Sequence, residues 1–305
     1  MAVVDFHMHF FSRVFLETLA AQSPLPGTPQ ERLQAVARKA NLELPPAEVQ
    51  AHTARWVAEA DRHGVQQLCA FASVPEEIPA LIEARRLAGG RIVPFALVDP
   101  TTPGCAGRVR TLVREHGFGG VLLFPALHHY HLGDAACEPL LQVLHELRAI
   151  CFVHCGLLIV KLRDLLSIPR TQDLTFSDPL SVVPAANRFP DVRFVIPHFG
   201  AGFFRETLLA GKQCPNVHVD SSSSNSWIAT QPTPLSLSDV FRRALGVFGA
   251  SRILFGTDST TFPAGWRVDR LAEQRAALQS AGASARDVDA VLAGNALRLL
   301  TELRR

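Results

Sequence analysis

Apolar residues along this chain gather in short, nearly unbroken runs rich in Val, Ile, Leu and Phe, and a stretch with helical spacing follows most of them. The runs are Val3–Phe6, Val65–Phe71, Ile92–Val98, Gly120–Phe124, Cys151–His154, Arg193–Pro197, Val217–Asp220 and Arg252–Phe255. Runs of this length without polar alternation are expected of parallel strands covered on both faces. Between them lie helical segments such as Glu76–Ala88, Gly107–His116, Glu138–Ala149, Asp178–Phe189, Phe204–Lys212 and Leu237–Phe248. Most of these end near Gly, Pro or Asn. Eight strand-then-helix units in 305 residues predict an α/β fold, a TIM (β/α)8 barrel, with an open doubly wound sheet as the alternative. The span from Arg13 to Arg62 is too long for one helix and one loop and contains Pro24, Pro26, Pro29, Pro45 and Pro46. It predicts a helical insertion after strand 1, lying over the barrel mouth. Arg267–Arg305 reads as helices, with a terminal one around Asn295–Leu303. The expectation is one domain over residues 1–305, with 13–62 as a lid.

Composition narrows the class. With 48% hydrophobic and 19% charged residues, the chain can bury a sizeable core and does not have the make-up of a disordered protein. A formal charge of +2 without a long Lys or Arg run argues against nucleic acid or an anionic membrane as the main partner. No run approaches the ~18 to 20 apolar residues of a membrane span, and the start of the chain lacks the pattern of a signal peptide. Cys69, Cys105, Cys137, Cys151, Cys155 and Cys214 are scattered, without a Cys-x-x-Cys. They read as reduced, buried thiols of a cytoplasmic protein.

The chemistry lies at strand ends. Val3-Val-Asp-Phe-His7-Met-His9 places two histidines two residues apart, and in a strand such a pair projects to the same face. Barrel enzymes carry their reactive groups at the C-terminal ends of strands. Those ends supply His7 and His9 after strand 1, His154 after strand 5, His198 after strand 6 and Asp258 after strand 8. Four imidazoles and a carboxylate at one rim are donor types suited to zinc or a similar divalent ion. Taken singly, each His reads as a structural histidine and Asp258 as a helix cap. Five such residues at matching ends, in a chain with 12 histidines, argue for a site.

In this pattern the chain resembles the amidohydrolase superfamily. Ile196-Pro-His198-Phe-Gly, Phe255-Gly-Thr-Asp258-Ser and Ala293-Gly-Asn295-Ala-Leu-Arg-Leu-Leu are most similar to its amidohydrolase-related (amidohydrolase 2) branch. That branch includes aminocarboxymuconate semialdehyde decarboxylase, related aromatic-acid decarboxylases and some hydrolases. The resemblance spans essentially the whole chain. It implies that His7, His9, His154 and Asp258 bind one divalent ion, usually Zn2+, with water completing the shell. It further implies that His198 is a proton-transfer residue beside the ion, and it suggests a homodimer. Binuclear members carry a carboxylated Lys or a Glu at the end of strand 4. Here Gly120-Val-Leu-Leu-Phe-Pro125 has neither, so a mononuclear site is expected.

The expected function is metal-dependent hydrolysis of a C–O or C–N bond in a small polar substrate. A divalent ion lowers the pKa of water from about 16 towards neutrality, and Asp258 can take its proton and deliver it to a leaving group. Non-oxidative decarboxylation of an aromatic or unsaturated acid is the alternative, and a non-catalytic metal-binding barrel is the third reading. Weaker signals are substrate contacts from His128, Arg163, Arg205 and Trp227. His128-His-Tyr-His131 reads as a polar loop with at most one substrate contact, the alternative being a second metal or substrate site. Lys161, Arg163 and Arg170 read as a solvated loop or a carboxylate clamp, and Ser221–Trp227 as a flexible loop or a source of hydroxyls and one aromatic wall. Cys155 is expected to point away from His154 and pack.

Overall fold

The computed structural model describes residues 2–222 and 226–303. Its strands are β1 (Val3–His9), β2 (Val65–Ala72), β3 (Ile92–Leu97), β4 (Gly120–Leu123), β5 (Ile150–Val153), β6 (Arg193–Ile196), β7 (Val217–Asp220) and β8 (Ile253–Leu254). They pair in sequence order, every neighbour parallel. The two ends of the sheet then meet. Phe6 N–H donates to Phe255 O, Asp258 N–H to His7 O and His9 N–H to Ser259 O, each at 2.9 Å. These bonds make the sheet the expected TIM barrel rather than an open one, and the seam runs through the His-x-His segment itself.

Side chains divide into two compartments. Val4, Phe6, Phe71, Phe95, Leu122, Phe152, Val195 and Leu254 fill the barrel, while Val3, Met8, Leu68, Val121 and Val153 pack outward under the helices. β1 breaks strict alternation. Asp5 pairs with Leu68 but Met8 with Ala70, so β1 carries an extra residue against β2. Such a bulge re-aims side chains. Asp5 therefore reaches the outer layer at Trp266, while Phe6 and His7 both lie against interior rings.

Three helices follow β1: α1 (Arg13–Gln22), α2 (Pro29–Ala40) and α3 (Val49–Arg62). Thr28 and Glu31 form a capping box around Pro29, which fixes the start of α2. α1 and α2 bury Phe15, Leu16, Leu19, Leu33 and Val36 against Leu162, Leu165, Leu166 and Ile168 of the segment after β5. α3 differs from the expected lid, because it packs on β2 and on the helix Ile78–Leu87 and buries Trp56 in the outer core. It is the barrel's own first helix, so the extra material ends before it. Other differences are local. The predicted helix 178–189 is broken into Pro179–Ser181 and Val182–Arg188, where the Asp178 carboxylate accepts from Leu180 N–H and caps a separate turn. Among the described residues no helix is long and apolar enough to cross a membrane.

Candidate metal centre

The bulge in β1 and the turn after β8 bring three donors together. The Nε2 atoms of His7 and His9 lie 3.7 and 3.4 Å from the same oxygen, Oδ1 of Asp258. Asp258 has a left-handed backbone (φ 57°), a costly conformation for a residue with a Cβ. The bond from its N–H to His7 O holds it there. Its side chain is 32% exposed, which opens the cluster to the barrel mouth.

His154 and His198 complete the rim. Their rings are 5.2 Å apart, and that of His198 is 4.8 Å from His7. His154 Nδ1 is buried and has no partner among the described residues. A buried nitrogen without a hydrogen-bond partner is costly. His198 and Phe199 both have positive φ (56° and 51°). His198 is held by its N–H to Asp220 Oδ1 at 3.1 Å and by Nδ1, 3.0 Å from Ser222 O.

The electrostatics favour a cation here. Burial works against a charged His7, but the carboxylates of Asp220, Asp258 and Asp5 outweigh it and hold His7 above the ordinary value. Burial lowers His9, with Asp258 opposing. His154 lies well below the usual range, through burial and the neighbouring His198 and His7, and burial lowers His198 as well. Withdrawal from water would raise Asp258, yet its bond to His9 and the surrounding imidazoles keep it far below the usual carboxylate range. His9, His154 and His198, shifted towards their neutral form, around an ionised carboxylate approach the donor state a divalent ion needs, and His7 would release a proton on binding one.

Two glycines allow the close approaches. A Cβ on Gly156 would lie 2.3 Å from Gly200 O, and one on Gly256 would lie 2.6 Å from His7 Cβ. The strand-end glycines thus make room for neighbouring protein rather than for a ligand.

Several supporting residues escaped the reading of the sequence. Asp220, fully buried at the end of β7, takes the His7 Nδ1–H on Oδ2 at 2.8 Å. Ser73 Oγ meets His9 Nδ1 at 2.8 Å. Glu77, also fully buried, accepts from Ser73 N–H at 2.8 Å and Ser12 N–H at 2.6 Å, and burial pushes its carboxyl up to about 7. Asp5 accepts from the N–H of His7 and Thr257 and from Trp266 Nε1; burial raises it to about 6. Asp220 obeys the same strand-end rule that singled out His198, and that rule applied to β7 would have found it.

The weaker candidates fare differently. Arg205 is not brought to the cluster: its side chain is 82% exposed and lies 3.5 Å from Glu206, because it sits on the outer face of the helix Phe204–Gln213. Trp227 is 2% exposed and packs on Phe204 in the outer core, so it is no wall of the mouth. Arg170 is bound twice by Asp164, whereas Arg163 keeps a buried Nε without a partner among the described residues. His128 ends the short helix Pro125–His128 that follows β4, half-buried, with Nδ1 unpartnered among the described residues, and burial lowers its pKa. His129 and His131 instead pack on Phe176. Cys155 packs outward with its Sγ against Val153 O. In the Ser-rich stretch Ser222 reaches His198, and 223–225 lie outside the described residues.

A family model described as amidohydrolase matches residues 4–301. The chain belongs to the amidohydrolase family. Solved structures similar to this amidohydrolase include 5-carboxyvanillate decarboxylase LigW from Sphingomonas paucimobilis (TM-score 0.67, 12% identity, 98% of this chain and 99% of that one). A probable 2-pyrone-4,6-dicarboxylic acid hydrolase from Acinetobacter baumannii, with citric acid bound, has a TM-score of 0.63 at 16% identity, covering 99% and 100%. A 5-carboxyvanillate decarboxylase from Novosphingobium aromaticivorans, with bound manganese and a nitrobenzoic acid, has a TM-score of 0.62 at 14% identity, covering 98% and 97%. At these identities the likeness is one of fold. No curated protein matches this amidohydrolase by sequence.

Proposed function

We propose that this amidohydrolase is a metal-dependent enzyme that hydrolyses a C–O or C–N bond of a small polar substrate. One divalent ion would be held by His7, His9, His154 and Asp258. The observation that carries this reading is the convergence of two imidazole Nε2 atoms on Asp258 Oδ1, with the His154 ring 5.2 Å from that of His198 at the same rim. Nitrogen and carboxylate donors suit zinc, and the manganese in the Novosphingobium relative supports a divalent ion. Such an ion supplies Lewis acidity, making water more acidic and a carbonyl more electrophilic. Asp258, ionised and open to the mouth, takes the proton of the attacking water and returns it to the leaving group. His198 stands beside it as a neutral base, its Nδ1 tied to Ser222.

Decarboxylation of an aromatic or unsaturated acid is the second reading, favoured by one region of the mouth. Leu97, Phe124, Leu127 and Leu158 form an apolar rim at the ends of β3 to β5, with Phe124 against His154 at 5.1 Å. Arg163, on the segment after β5, keeps its buried Nε unpartnered. An aromatic ring matches the apolar rim and a carboxylate matches the Arg163 guanidinium, and two of the similar solved structures are 5-carboxyvanillate decarboxylases. In that reaction the carbon that loses carbon dioxide takes a proton from the Asp258–His198 pair.

The test is a panel of lactones, esters, amides and aromatic carboxylates given to protein stripped with a chelator and reloaded with zinc or manganese. Acid release and carbon dioxide release are scored separately. Acid release restored by the metal is expected; carbon dioxide release alone selects the second reading, and no metal-dependent turnover overturns both.

A further inference from the structure

We infer that Asp220 is a positioning residue that sets the ring tautomer of His7 directly and that of His198 by holding Ser222, so that ion affinity and the placement of the proton-transfer imidazole depend on one side chain. This rests on the metal-site reading of His7 and on the role of His198.

The carboxylate is fully buried at the end of β7, and its two oxygens serve different strands. Oδ2 lies 2.8 Å from His7 Nδ1. A carboxylate oxygen only accepts, so Nδ1 carries the hydrogen, and the neutral ring keeps its lone pair on Nε2, the atom that faces Asp258. Oδ1 accepts from His198 N–H at 3.1 Å, from Ser222 N–H at 2.9 Å and from the Ser222 hydroxyl. Since that hydroxyl hydrogen is committed to Asp220, Ser222 Oγ meets His198 Nδ1, 2.9 Å away, as an acceptor. The Ser222 carbonyl, at 3.0 Å from the same nitrogen, can only accept. His198 therefore also carries its hydrogen on Nδ1 and leaves Nε2 bare. The bond to His198 N–H, finally, supports the left-handed backbone that points this ring into the site.

His9 supplies the contrast. Its Nδ1 meets the neutral Ser73 hydroxyl, which can either donate or accept and so does not dictate a tautomer. Partners of metal-binding histidines typically change metal affinity by about 10- to 100-fold. By this argument the larger effect belongs to His7.

The experiment compares wild type, Asp220→Asn and Ser222→Ala in two measurements. Zinc affinity is measured by competition with a chromophoric chelator, and the imidazole 15N shifts are recorded on metal-free, histidine-labelled protein. Asp220→Asn is expected to bind zinc at least tenfold more weakly and to lose the Nδ1–H signature at His7. Ser222→Ala spares the His7 bond, so it is expected to hold zinc within about twofold of wild type while changing the shifts of His198. A folded Asp220→Asn with wild-type affinity and unchanged ring shifts overturns the inference. So does a tenfold loss of zinc in Ser222→Ala, which also keeps the question answerable if Asp220→Asn does not fold. Failure of wild type to bind zinc would sink the metal-site reading instead, and the metal-free shifts would still decide whether Asp220 sets the tautomers.

Discussion

His9 Nδ1 and Ser73 Oγ stand 2.8 Å apart, which ties the second histidine of β1 to the residue that follows β2. Ser73→Ala removes that partner and leaves the His9 ring held by contacts with Phe11 and Phe71. Zinc affinity is expected to fall by about tenfold, the low end of the usual range because the partner is uncharged. Chelator competition measures it, and an unchanged affinity would mean that ring packing alone orients His9.

Glu77 should make stability depend on pH. Its carboxyl is raised from 4.5 to about 7, chiefly by burial, so the folded protein holds a proton that the unfolded chain releases near pH 4.5. The contribution is full below that pH and disappears as pH rises through about 7, an effect on the order of 3 kcal/mol. Glu77→Gln keeps the shape and one acceptor but cannot ionise. Denaturant titrations of metal-free protein between pH 5 and pH 8 should show a smaller decline for the variant, and parallel curves would contradict the assignment.

Gly256→Ala should disturb the centre without touching a donor. The added methyl would lie 2.6 Å from His7 Cβ and 2.9 Å from Ser222 Cβ, atoms fixed to the backbone that cannot swing aside. Overpacking of this kind costs about 1 to 3 kcal/mol. A lower melting temperature and reduced zinc content are expected together; a variant with wild-type melting would show that the β1–β8 seam can spread.

His198→Ala separates metal binding from proton transfer. With His7, His9, His154 and Asp258 intact, zinc should remain stoichiometric while kcat falls by roughly 10²- to 10⁴-fold. Elemental analysis beside steady-state kinetics checks it. Loss of the metal would make His198 a ligand instead.

The strands are legible in the sequence because a barrel strand is covered on both faces, so composition alone marks it. Their ends shift where a side chain decides the geometry. Arg252, read as the start of β8, instead ends a turn and gives its guanidinium to the carbonyls of Phe248, Gly211, Cys214 and Val217. The strand-end histidines and Asp258 stand out because an apolar run has no packing use for them. Asp220 meets the same rule at the end of β7, but its role is not legible from it, because its partner His7 is 213 positions away. Glu77 hides in the same way, as its role depends on two backbone N–H groups from separate loops. Nor can a proline-rich span show which of its helices packs on β2, because all three are amphipathic.

The docking of α1 and α2 on the segment after β5 divides responsibility within the molecule. The candidate donors hang on strand ends and on buried carboxylates, whereas the shape of the segment that carries Arg163 is upheld by Phe15, Leu19, Leu33 and Val36 from another part of the chain. A new substrate preference could therefore arise, or be engineered, by exchanging those two helices together with their landing strip, leaving every donor where it stands.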